Sequence, residues 1–275
     1  REDMTRTVAY FDDAILQKIV MEQTVPGSFE EALDSGQFRM YLQPLVREDG
    51  SVIGAEALAR WYRPDGSMIM PGDFIETLET AGLIHKLDRY MWELAVKQLS
   101  LWKGTEKQNL TISVNVSAKD FYSIDVAHVM TELVEKYDVD SRMLRLEITE
   151  TALLGSPKKC ESIVAGLRQR GFLVEIDDFG KDNSTLSFLK DIRADVLKID
   201  MSFLQEIKDS ERNQVILKSV ITMADSLGMD VITEGVETEE QLRILTAMGC
   251  NLFQGYLFCR PVPVDVFEMK YSAAE

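Results

Sequence analysis

Apolar residues recur along this chain with two periods. From Ile84 to Trp102, and again at Leu217, Val220, Ile221, Ala224 and Leu227, they return every three or four residues, as on a helix with one face in a core. Between such stretches lie apolar or alternating runs of strand length: Phe38–Val46, Val52–Arg60, Leu110–Ser117, Leu144–Thr149, Phe172–Asp177, Val196–Asp200, Asp230–Thr233 and Leu252–Phe258. A further helical stripe opens the chain over residues 8–25, with Phe11, Ile15, Leu16, Ile19 and Val20 on one side. Pro26 and Gly27 are expected to stop it, and Ser28 followed by Glu31 resembles the capping box of a short second helix that Gly36 ends.

Arg47–Ser51 is too short a link for a parallel crossover, and Asp49-Gly50 is hairpin chemistry, so the first two strands pair antiparallel. The remaining strands alternate with helices. Eight strands in one domain of this size predict an α/β fold, a (β/α)8 TIM-barrel variant with one antiparallel strand. The expected division is a linker helix over residues 1–27 and one large domain over residues 28–275.

Composition narrows the function. With 275 residues and 45% apolar content the chain can bury one full core. It contains neither an apolar run of about 18 residues nor a secretory leader, so it is read as a cytoplasmic fragment without membrane contact. A first residue Arg1 rather than Met suggests an excised piece of a parent that is itself free to be membrane-anchored. Cys160, Cys250 and Cys259 lack zinc spacing and read as buried thiols, and two histidines, His85 and His128, leave little for a His-rich metal site or a Ser-His-Asp triad. The net charge of −16, from 46 acids and 30 bases, repels a polynucleotide. A small anionic ligand needs cations between itself and the carboxylates, and metal ions supply them.

Acids recur within the apolar strand runs. Glu56, Asn115, Glu147, Asp177, Asp178 and Glu234 all fall at or near strand ends, and Lys198 and Gln254 join them. Any one of these alone is more often a helix cap or a solvated loop residue, and Lys198 alone could be a snorkelling surface lysine. Their repetition strand after strand is what needs explaining. A parallel barrel gathers its C-terminal strand ends on one face, where so many carboxylates cannot all stay ionised without counter-charge. Oxygen donors of this kind suit magnesium or manganese, two of which can clamp the attacking and leaving oxygens of a phosphodiester displacement. Lys198 is placed to orient the attacking water or accept its proton. Ca²⁺, which takes more ligands at longer distances, is expected to inhibit.

At these residues the sequence resembles the EAL-domain family. The likeness runs from about Phe29 to Pro263 through Tyr41-Leu-Gln-Pro44, Glu56-Ala-Leu58 with Arg60, Asn115-Val-Ser117, Glu147-Ile-Thr-Glu150, Asp177-Asp-Phe-Gly180, Leu197-Lys-Ile-Asp200, Glu234-Gly-Val-Glu237 and Gln254-Gly-Tyr256. The resemblance implies a barrel with one reversed strand and metal-dependent hydrolysis of cyclic di-GMP to linear pGpG with two Mg²⁺ or Mn²⁺. It implies that Glu56, Asn115, Glu147 and Asp177 hold one ion, and that Asp177 bridges to a second held with Asp178 and Glu234. By the same likeness the catalytic set is Lys198, Glu56, Glu234 and Glu237, with Glu237 and Asp200 behind the ligands. Gln43, Leu58, Arg60 and Gln254 are similar to substrate-contacting residues, Gln254 to one that reads a guanine, and Glu150 to the acid that steadies the loop after Asp178. A homodimer and an upstream GGDEF or sensor domain follow as partners, since Tyr10-Phe-Asp-Asp13 resembles the connector behind a GGDEF domain.

One stretch departs from the pattern. Where the family continues Thr/Ser-Gly-Tyr-Ser-Ser, this chain has Lys181-Asp-Asn-Ser-Thr185, a change that bears on activity and dimer coupling. The rival reading is therefore a weak or inactive domain that senses cyclic di-GMP. A sugar- or phosphate-metabolising barrel lacks its Gly-rich phosphate loop here.

Overall fold

The computed structural model describes residues 13–155, 157–181, 189–204, 207 and 210–271. The first strands, β1 (Phe38–Arg47) and β2 (Val52–Tyr62), pair antiparallel from Phe38↔Trp61 to Val46↔Val52. Asp49 accepts from the Ser51 amide at 2.9 Å, and Gly50 has φ +80°, as the hairpin turn requires. From β2 the sheet continues in parallel through β4 (Thr111–Asn115), β5 (Leu144–Thr149), β6 (Leu173–Phe179), β7 (Val196–Ile199), β8 (Asp230–Thr233) and β9 (Leu252–Phe253). β9 then pairs antiparallel with β1 and closes the ring, so the barrel has one reversed strand, as expected. Two short strands, β3 (Met68–Ile69) and β10 (Val262–Pro263), extend the sheet at β2 and β1.

Helices cover the outside. α3 (Ile84–Trp102) buries Ile84, Leu87, Met91, Trp92, Ala95 and Leu99, and α8 (Glu211–Ser226) buries Leu217, Ile221 and Ala224 against the barrel. α2 (Pro71–Thr80), α5 (Val126–Lys136), α7 (Pro157–Gln169), α9 (Glu239–Ala247) and α10 (Val264–Lys270) complete the layer, with short α4 (Asp120–Ser123) and α6 (Glu150–Gly155) at the rim. None of the three cysteines is in a disulfide, and all are buried. Among the described residues no helix is long and apolar enough to cross a membrane.

Three expectations fail. One helix, α1 (Asp13–Asp34), runs through Pro26 and Gly27, which were expected to stop it. Proline removes a single local N–H bond, whereas Val25, Phe29 and Ala32 are all buried at helical spacing and hold the turn together. Ser28 makes no N-cap. Its hydroxyl donates back to the Thr24 carbonyl at 3.0 Å, one turn earlier. The last strand stops at Phe253, and just past it Gly255 packs so close to Val236 that a Cβ would lie 2.1 Å from its carbonyl oxygen. Residues 10–12 of the GGDEF-like connector and residues 182–185 of the unusual loop lie outside the described residues.

The barrel interior is layered. Leu45, Val196, Ile232 and Leu252 form an apolar floor. Beside it Glu175, fully buried, accepts from Arg145 Nη1 at 2.9 Å and Ser113 Oγ at 3.0 Å. Alternation along each strand then lifts Glu56, Glu147, Asp177 and Lys198 into the layers above.

Candidate active site

Lys198 is the centre. Its side chain is 1% exposed, and Nζ lies 2.7 Å from Glu234 Oε1, 2.8 Å from Glu147 Oε1, 3.3 Å from Asp177 Oδ1 and 3.7 Å from Glu56 Oε2. The snorkelling alternative is thereby excluded. These five residues come from or follow β2, β5, β6, β7 and β8, so the parallel sheet alone brings together side chains far apart in sequence. Burial by itself would lower the Lys198 pKa, but the charges of Asp177, Glu147, Glu234 and Glu56 prevail and hold it well above the usual lysine range. Burial, then the neighbouring charge of Glu56, drives Glu147 well above the carboxylate range. Glu234 is pushed up to about 8, by burial first, against the pull of Lys198.

Amide side chains frame this cluster. Gln254 Nε2 donates to Glu56 Oε2 at 2.5 Å and to Gln43 Oε1 at 3.2 Å, and Gln43 donates on to the Cys259 carbonyl at 3.3 Å. Asn115 Nδ2 reaches Glu56 Oε1 at 3.5 Å. The Asn115 backbone is fixed from behind, where Trp92 of α3 donates to its carbonyl at 2.8 Å. A cavity of about 320 Å³ opens above, lined by Gln43, Glu56, Leu58, Asp177, Glu234 and Gln254 among others, with Asp200 and Glu237 in its wall. Glu237 is set by the capping box of α9, in which Gln241 Oε1 accepts its amide at 2.9 Å while Thr238 caps the helix.

Asp178 is not brought into the Lys198 cluster. It adopts φ +56° at a break in the β6–β7 register and lines a separate small cavity with Glu150, Thr151 and Lys181. Its carboxylate meets Lys181 Nζ at 3.1 Å. Burial, then the charge of Asp177, raises its pKa. Glu150 accepts from the Gly180 amide at 3.4 Å, just past Asp178. Gly180, at φ +95°, lies against Phe203, whose ring a Cβ would meet at 1.8 Å.

Sequence reasoning missed a second feature. An apolar cavity of about 560 Å³ adjoins the first, sharing Glu56 and Leu58 as walls and reaching Pro71, Ile75, Met91 and Ala152. Asp88 in its wall is driven well above the carboxylate range by burial and then by Asp120, which itself accepts from the Ser117 amide at 2.8 Å. The available signal was an acid in the core stripe of α3, between Leu87 and Met91.

The residues fit a divalent metal in chemistry. The donors are hard oxygens, and Glu147 Oε2 is buried without a hydrogen-bond partner among the described residues, while Asp177 Oδ1 meets Lys198 Nζ at 3.3 Å. No three acidic, histidine or cysteine side chains among the described residues already form a metal cage, since the Lys198 ammonium stands among the acids.

A closed barrel, parallel but for one reversed strand, gathers carboxylates and a lysine at its C-terminal strand ends, where barrel active sites form. The EAL domain profile matches residues 27–261, and the chain belongs to the EAL domain family. It is 33% identical to the cyclic di-GMP phosphodiesterase RocR of Pseudomonas aeruginosa over 267 residues, 96% of this chain and 67% of that one. It is 32% identical to the signaling protein YkoW of Bacillus subtilis over 260 residues, 94% of this chain and 32% of that one. The chain thus spans about a third of the length of YkoW and of NbdA of Pseudomonas aeruginosa. Among solved structures it resembles the PaMucR phosphodiesterase in complex with c-di-GMP, with a TM-score of 0.84, 31% identity and coverage of 89% of this chain and 99% of that one. An EAL domain protein from Listeria monocytogenes gives a TM-score of 0.77 at 28% identity, over 90% of this chain and 97% of that one. The family implies dependence on a divalent metal.

Proposed function

We propose that this chain hydrolyses cyclic di-GMP to linear pGpG with two Mg²⁺ or Mn²⁺ ions. The observation that carries the reading is a buried ammonium, Lys198, ringed by four carboxylates beneath an amide-lined cavity. Glu56, Asn115, Glu147, Asp177 and Glu234 would hold the metal. When bound, it polarises the phosphodiester and acidifies a water.

The protein's own residues do the rest. Lys198 Nζ, 2.7–3.7 Å from four of the carboxylates, is placed to orient the attacking water or accept its proton. It also balances the carboxylates that would otherwise repel an anionic substrate. Glu234 holds a proton near neutral pH until a cation displaces it. Gln254 and Gln43, fixed to each other and to Glu56, present amide edges suited to a guanine. Asp178 enters only by leaving Lys181. The same reading carries a homodimer, an upstream GGDEF or sensor domain and a cytoplasmic site of action for the parent protein.

Incubation with cyclic di-GMP and Mg²⁺ or Mn²⁺, followed by chromatography, tests the reading. A linear dinucleotide is expected. Intact nucleotide, bound but never cleaved, would instead make the domain a sensor.

A further inference from the structure

Ser113, Arg145 and Glu175 stand two residues before Asn115, Glu147 and Asp177 on β4, β5 and β6. Side chains two apart on a strand share a face, so these three form a tier directly beneath residues proposed to hold metal. The Glu175 side chain is fully buried and that of Arg145 is 11% exposed. One Glu175 oxygen accepts from Arg145 Nη1 at 2.9 Å, and the other accepts from Ser113 Oγ at 3.0 Å. Ser113 and Glu175 belong to strands that are not neighbours in the sheet. Their contact therefore reaches across β5 and ties three ligand-bearing strands at one level.

The tier is charged where apolar residues would serve the fold. Leu45, Val196, Ile232 and Leu252 fill the neighbouring interior. A buried ion pair is often no more stabilising than apolar side chains of similar volume, so packing alone does not account for this one. Its placement does. Glu147 and Glu175 are register partners on adjacent strands, and four acids already surround Lys198 just above. An uncovered Glu175 would add negative charge to that cluster. An uncovered Arg145, on the same face of β5 as Glu147, would draw the Glu147 carboxylate away from a cation. In an interior with little water to screen it, either charge is felt strongly.

We propose that Arg145 and Glu175, tied through Ser113, are positioning residues that cancel each other's charge beneath the metal site and so leave Glu147 and Asp177 to the cation. The inference rests on the divalent-metal site proposed above. It gives neither residue a contact with metal or substrate, and both act through Glu147.

Calorimetric titration of metal-stripped protein with Mn²⁺, in the absence of substrate, tests it on Glu175→Gln, Arg145→Gln and the double variant, each checked for folding by urea unfolding. Glu175→Gln keeps the shape of the side chain and loses its charge, leaving a guanidinium that does not give up its proton. Its Kd for Mn²⁺ should rise about tenfold, the effect of one uncompensated charge in a poorly screened site. Arg145→Gln strands a buried acid, yet should bind Mn²⁺ at least as tightly as the unaltered protein. The double variant, neutral again, should return to within about threefold. A pair that only braced the barrel would weaken Mn²⁺ binding in both single variants alike. A Kd for Glu175→Gln within about twofold of the unaltered protein, or Arg145→Gln binding as weakly as Glu175→Gln, would overturn the proposal. Should Glu175→Gln fail to fold, weakened binding by Arg145→Gln overturns it alone. An unaltered protein that takes up no Mn²⁺ removes the metal site itself, whereas uptake with the same Kd in every variant removes only the part assigned to the pair.

Discussion

A lysine ammonium 1% exposed inside a barrel persists because four carboxylates face it. Lys198→Ala should leave those acids without counter-charge and, in chelator, cost about 3–5 kcal/mol of stability, part of which divalent metal restores. Turnover of the same variant should drop roughly 10²-fold or more. Denaturant unfolding with and without metal, beside steady-state rates, reads both, and near-normal turnover would make Lys198 a bystander. Glu234 sets a pH dependence. Its carboxyl titrates at about 8, so below that value a cation must displace its proton. Apparent metal affinity should therefore rise with pH and level off above about 8, which Mn²⁺ titration across that range measures. A falling affinity would place Glu234 outside the ligand set. The acids of this site were legible because each interrupts an apolar strand. The turn of Asp178 toward Lys181 was not, since a positive φ at a register break leaves no mark on the residue pattern.

At the level of elements, β5 and β6 carry Glu147 and Asp177 two residues beyond Arg145 and Glu175, whose buried ion pair underlies the site. Arg145→Met should cost about 3–5 kcal/mol by stranding Glu175, while the double change Arg145→Met with Glu175→Leu recovers most of it. Urea unfolding of the cycle decides, and a small single loss with no coupling would mean the pair contributes nothing. At the end of β6, Lys181 competes with any cation for Asp178. Lys181→Ser should lower the half-saturating Mn²⁺ about two- to fivefold, the range of a partly exposed ion pair. Identical metal titrations of the two proteins would contradict it. The barrel order, the reversed strand and α3 could be read from hydrophobic period and loop length. The continuity of α1 through Pro26 could not, because burial of Val25, Phe29 and Ala32 is a tertiary fact that local breaker rules do not contain. The unusual loop past Lys181 lies outside the described residues from position 182 on.

On the scale of the whole molecule, the proposed hydrolysis sets an anionic substrate against strongly acidic charge, and the cations that would reconcile them are Lys198 and the proposed metal at the barrel mouth. Under the proposed function, a chain of charge −16 is expected to take a small cyclic dinucleotide while repelling a polynucleotide. The most direct test of this account is hydrolysis of cyclic di-GMP by metal-stripped protein, followed as Mn²⁺ is returned. No product before addition and a linear dinucleotide after it is the predicted result. Equal cleavage in the presence of chelator, or nucleotide left intact at saturating Mn²⁺, would contradict it.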